Sequence, residues 1–354
     1  MSLPRLPRPR GPLSAALVDA LARDTPVPHP DELPIQAVTD VVADDDLQLA
    51  LYLCYELHYR GFAGVAADRE WDLSVLALRA ALEARFVDAL EDLVPLDTNA
   101  DVPDLVGMIE AFDGPSLSTY LAGHGSRDEF AEFLVHRSAY QLKEADPHTW
   151  GIPRLAGRSK SAMVEIQADE YGDGVPGESH AELFADTLEA AGLDATYGRY
   201  LDRLPGITLA TTNLISLFGL HRRFLPALLG HLAVFEMTSV TPMGRYARAA
   251  RRFGLGDAGA RFYDVHVEAD AVHEVVAEHH LVGAYVAEHP DAVALVRWGA
   301  AVLMAVEDRF ARHMLDAWEA GRSSLRPPTD DGLDPTSSDR TWSDRPRALA
   351  HARG

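Results

Sequence analysis

The chain has one cysteine, Cys54, so it forms no intramolecular disulfide, and cysteine-rich zinc sites and iron–sulfur clusters are excluded. A lone thiol fits a reducing compartment, and a cytoplasmic location is the expectation. Positive charge is scarce too: 32 Lys and Arg stand against 54 Asp and Glu, a formal net charge of -22. Nucleic acid and anionic membrane surfaces both need a basic face, so neither is an expected partner. No uninterrupted apolar run reaches the roughly 18 residues of a membrane span. The start, MSLPRLPRPRGPLSAALV, is basic and proline-rich but lacks the apolar core of a signal peptide. No alternation of β-branched residues is long enough to propose a sheet.

What is present is helical patterning. Hydrophobic residues make up 47% of the 354, enough to bury a sizeable core, and the length allows two domains. Residues 1–25 read as a flexible arm. From Asp44, DDDLQLALYLCYELHYRGF places apolar residues at three-to-four spacing behind an acidic start, as helix N-termini prefer. With DLSVLALRAALEARFVDALEDLV this suggests an N-terminal helical domain over 26–120. A second helical region over 121–325 is punctuated by short Gly/Pro breaks and closes on AAVLMAVEDRFARHMLDAWEAG. Residues 326–354 are polar and proline-rich, the composition of a disordered tail.

The sharpest chemical feature is YDVHVEADAVHEVV, where His266, Asp270 and His273 fall at i, i+4 and i+7 and share one helix face. Phe262 and Ala277 extend that face, so it reads as core-facing. A buried carboxylate between two imidazoles needs compensation, which a metal supplies; two histidines and a carboxylate suit iron or zinc. The other reading is a solvated face with two chance histidines. Glu144 shares a stripe with Phe130, Phe133, Arg137 and Tyr140, and Glu236 shares one with Leu225, Leu229, Leu232 and Val240. An acid on an apolar stripe is paired or metal-bound, and for Glu144 an ion pair with Arg137 is the alternative. Glu170 closes a helix, a Gly/Pro turn follows, and His180 opens the next; such a turn can bring both to one metal. Glu165 lies five residues earlier and so points elsewhere, but by pattern alone it remains a rival. Helical bundles that hold two irons use this kind of set, bridging carboxylates with a terminal imidazole on each side.

On Glu144, DEYGDG with Glu170, His180, FEMTSV with Glu236 and HVEADAVH, the chain resembles the haem-oxygenase-like di-iron oxidases and oxygenases, often labelled iron-containing redox enzymes. The resemblance covers about residues 120–325 and is nearest to an N-oxygenating member. That member's C-terminal cupin domain has no counterpart here, so nitrosation is not expected. The resemblance implies an all-α, seven-helix haem-oxygenase-like bundle with an N-terminal dimerisation unit. It implies two irons cycling between Fe(II) and Fe(III), with O2 as co-substrate. Glu144, His266 and Asp270 would hold one iron, and Glu170, His180 and His273 the other. Glu236 would join them as the carboxylate with a catalytic role. The implied reaction is N-oxygenation of an amine or guanidine on an amino-acid-like small molecule in specialised metabolism. Oxidative C–C cleavage or desaturation of an amino or fatty acid is the alternative on the same site. Arg137 is a candidate for the substrate carboxylate, an external electron donor is a possible partner, and a homodimer is expected. Outside this class stand an iron-storing or interaction protein and a haem-binding member of the fold.

Overall fold

Segments with apolar residues at three-to-four spacing fold as helices, and among residues 3–328, which the computed structural model describes, there is no strand. In chain order, α1 (Pro12–Arg23), α2 (Asp45–Glu56), α3 (Leu73–Leu93), α4 (Leu105–Glu110) and α5 (Leu117–Gly123) come first. Then follow α6 (Arg127–Gln141), α7 (Asp146–Thr149), α8 (Gly157–Glu170), α9 (His180–Ala190) and α10 (Gly206–Leu220). Last come α11 (Leu225–Arg252), α12 (Gly256–Val275), α13 (Ala284–Glu288) and α14 (Val293–Glu319), with a π-helix, Val276–Gly283, between α12 and α13. The all-α class expected from the sequence is the class observed.

The helix starts have local causes. Asp44, Asp72 and Ser179 accept hydrogen bonds from the first free N–H groups of α2, α3 and α9. Ser126 and Glu129 form a reciprocal capping box at α6. α11 is the bundle's spine, packing against α5, α10, α12 and α14. By length and composition the stretch Arg222–Arg252 could cross a membrane, but in the bundle it is a core helix with Glu236 buried on it.

Where α11 meets α14 the backbones nearly touch. A Cβ on Gly230 would sit 1.9 Å from the Val296 carbonyl oxygen, and one on Gly299 would sit 2.1 Å from that of Ala227. Only glycine fits at either point. Gly299→Ala must push the two longest helices apart and is expected to cost about 3 kcal/mol, as overpacking a core does. Urea unfolding measures it, and a cost under about 1 kcal/mol would mean that the crossing yields easily.

Two boundaries differ from the sequence expectation. The expected flexible arm over 1–25 is helical over most of its second half: Pro12 starts α1, which buries Leu13, Leu17 and Leu21. Asp46 of α2 accepts from Leu13 N and Ser14 N at 2.8 Å each, capping α1 from a neighbouring helix. Proline density hid this amphipathic stretch. Nor do 26–120 and 121–325 form separate domains. Every residue from Leu47 to Glu56 of α2 is buried, α2 lies between α1 and α10, and one apolar core includes Leu49 and Leu53 together with Leu209 and Phe218. The expected tail from 326 is tied at its start, where Arg326 N donates to Arg203 O at 2.9 Å; residues 329–354 lie outside the described residues.

Candidate metal centre

Five segments converge on one polar pocket in the core: the α6–α7 turn, the end of α8, the start of α9, the middle of α11 and α12. α8 ends at Glu170 and α9 begins at His180, as the pattern predicts. Gly172 makes the intervening turn possible: its φ is 64°, and a Cβ there would lie 2.4 Å from the Glu178 carbonyl carbon. Arg261 of α12 pairs with Glu178, fastening the turn to the bundle. Glu144 differs from expectation in one respect. α6 stops at Gln141, so Glu144 stands in a turn, and Ala145 after it takes φ 75°, a conformation side-chain-bearing residues rarely adopt.

All seven sequence-predicted residues meet here, in two groups, each with its ligand atoms within 4.8 Å of one another. Glu144, Glu170, His180 and His266 make the first; Glu170, Glu236, Asp270 and His273 make the second. Glu170 belongs to both. This differs from the division that the resemblance implies. His180 stands with Glu144 and His266, because α9 packs along α12 and brings the His180 and His266 rings to 4.2 Å. Asp270 stands with His273 on the next turn of α12, their nearest atoms 3.6 Å apart.

All seven are buried, yet polar atoms of Glu144, Glu170 and His180 are unsatisfied. Glu170 Oε2 and His180 Nδ1 are 2.8 Å apart without forming a hydrogen bond; both are orphaned, as are Glu144 Oε2 and His180 Nε2. Buried polar atoms are almost always paired, so unpaired ones gathered this closely fit a cation. The outer contacts fit as well. His266 Nδ1 donates to the Phe262 carbonyl at 2.7 Å, turning Nε2 toward Glu144 Oε1 at 3.8 Å; metal-ligating imidazoles are oriented in this way. Ser239 donates to Asp270, and His273 Nδ1 lies 3.2 Å from Glu236 Oε2.

The electrostatics describe the same deficit of positive charge. Burial pushes Glu170 up to about 7 and Glu236 up to about 8. Burial lowers an imidazole's pKa, but at His266 the charges of Glu144, Glu170 and Asp270 overcome it and raise the ring to about 10. Asp270 and Glu236 do the same to His273. His180, beside His266, is held down to about 4 by burial and by that neighbour. Without a metal, protons supply the positive charge that the acids demand.

Asp169 was not picked out by the sequence pattern. Its Oδ2 has no hydrogen-bond partner and lies 3.4 Å from His273 Nε2. One residue before Glu170, it falls off the apolar stripe, so only proximity reveals it. Glu165 is exposed and His280 half-buried, and neither joins a group. Arg137 does not pair with Glu144: its guanidinium makes a two-point ion pair with Glu307 at 2.9 and 2.8 Å.

The sequence is 25% identical over 224 residues to nitrosourea synthase of Streptomyces achromogenes subsp. streptozoticus, covering 61% of this chain and 47% of that protein. The chain therefore spans about half the length of this curated relative. The model of the iron-containing redox enzymes matches residues 131–308, half of the chain, and all seven clustered residues lie within that span. The chain belongs to the iron-containing redox enzyme family.

Proposed function

We propose that this chain holds two iron ions in the two residue groups and uses them with O2 to oxygenate an amine-type nitrogen. The observation that carries this is the pair of donor sets sharing Glu170, with buried atoms of Glu144, Glu170 and His180 that no protein group satisfies. Glu144, His180 and His266 would serve one ion, Glu236, Asp270 and His273 the other, with Glu170 between them. When bound, a ferrous pair supplies the electrons that activate O2, and hard carboxylates that shift between terminal and bridging modes suit that role. The chain's own work is to hold the ligand atoms together, orient His266 through Phe262, and keep water from a core-buried pocket. The choice of nitrogen rests on the likeness to nitrosourea synthase. Converting an amine to a hydroxylamine puts one oxygen atom into the N–O bond. The other leaves as water, with two electrons and two protons from an external donor. That donor, a cytoplasmic setting and a homodimer belong to the same proposal.

Anaerobic loading with Fe(II), followed by O2, tests it. A transient visible band is expected that decays faster with an oxidisable amine, and His273→Ala should lose the band while far-ultraviolet helicity stays. Slow conversion of the added iron to mineral, with no such band, would instead mark a storage protein.

A further inference from the structure

Beside the metal centre lies a cavity of about 350 Å³ between α6, α11 and α14, within the size range of small-molecule sites. Tyr140, Phe235, Ser239 and Met243 line both this cavity and the small pocket that Glu144, Glu170, Glu236, His266 and Asp270 line, so the two adjoin. Phe112, exposed at the surface, marks its outer end.

Its lining is mostly apolar, and its charges are committed. The charged residues are Arg137, Glu307 and Asp308, one cation against two anions. Arg137 is locked to Glu307 at both nitrogens and lies against the Phe310 ring at 4.6 Å. Asp308 is held by Arg312. Among the lining residues a carboxylate would find no uncommitted cation, and burying it there unpaired is costly. One unmet polar atom of the lining calls for the opposite charge: Gln141 Oε1 is buried without a hydrogen-bond partner and can only accept, as from an ammonium. Tyr263 Oη, also buried without a partner, can accept from the same group or donate.

We propose that this cavity takes an amine carried on an apolar body, an alkylamine or arylalkylamine, and rejects carboxylate-bearing amino acids. That the bound amine is the group oxidised rests on the reading above; the binding itself does not. On this view Arg137 is a wall residue neutralised by Glu307 and not a carboxylate receptor.

Isothermal titration of the full chain under anaerobic conditions, with and without Fe(II), against n-octylamine, octanoate and L-arginine separates the cases. Octylamine is expected to bind at least about tenfold more tightly than octanoate, and L-arginine not measurably. Leu303→Trp fills the cavity and should abolish octylamine binding. Glu307→Gln leaves Arg137 unpaired and should reverse the preference toward octanoate, which keeps the test alive should the tryptophan variant fail to fold. Tighter binding of octanoate or L-arginine, octylamine binding untouched by Leu303→Trp, or a preference untouched by Glu307→Gln would each overturn the assignment. Because binding is read without iron as well, its failure is distinct from failure of the chain to load iron.

Discussion

With two ions held as proposed, Glu170→Ala is expected to remove both, whereas His180→Ala removes one. Glu170 alone belongs to both donor groups, and a carboxylate has two oxygens to divide between two ions. Losing it leaves each group with three donors and no shared anion, so affinity at both positions should fall at least about 100-fold, more than the loss of an outer-sphere partner costs. The metal-free protein should suffer little. Burial already pushes the Glu170 carboxyl up to about 7, so the wild type holds a poorly solvated acid there, and alanine removes that burden. Glu170→Ala should thus show unchanged or higher stability without metal and no thermal stabilisation on adding Fe(II). The wild type should gain stability as any ligand-binding fold does. Chelator-competition titration counts the ions, and calorimetry reads the stabilisation. Two ions bound by Glu170→Ala with near-native affinity would break the shared-ligand arrangement.

The clustered residues were legible because helices convert spacing into position. His266, Asp270 and His273 share a face at any crossing angle, so their facing one pocket needed no tertiary information. Glu144 and Glu236 were legible as acids on apolar stripes, an anomaly that burial must resolve. How seven residues divide between two positions was not legible, because it depends on the packing of α9 against α12. Sequence spacing says nothing of that angle. The same limit hid Asp169, which comes near His273 only through the approach of α8 to α12. It also hid the partner of Arg137, which is Glu307, 170 positions away. The N-terminal region misled for a different reason. Prolines before α1 resemble a linker, yet Pro12 sits at the helix's first turn, where its missing N–H is no loss. α2 shows apolar residues at helical spacing, but it is buried all round, the signature of a central helix and not of a separate domain.

That central position carries the second large effect, at Lys143. Its side chain is 1% exposed and its Nζ lies 2.9 Å from Glu56 Oε2, on an α2 side chain that is fully buried. Tyr197 donates to both oxygens of Glu56 at 2.8 Å, and the Tyr59 ring lies 4.2 Å below the ammonium. Two charges out of water are tolerable only as a pair, so removing one strands the other. Lys143→Met should cost about 3–5 kcal/mol and Glu56→Gln a similar amount, while the double variant should recover much of that loss. Denaturant unfolding of the cycle measures the coupling; additive losses would mean that the two charges do not sustain each other. The pair also bears on the metal centre. Lys143 immediately precedes Glu144 in the turn where Ala145 holds φ 75°, and Glu56 is the anchor that keeps this turn against α2. Without it the turn is free to relax, and Glu144 moves away from His180 and His266. Even where Lys143→Met folds, it should therefore weaken the ion served by Glu144 more than the one served by His273. That asymmetry distinguishes a lost anchor from a general loss of stability, which would weaken both alike.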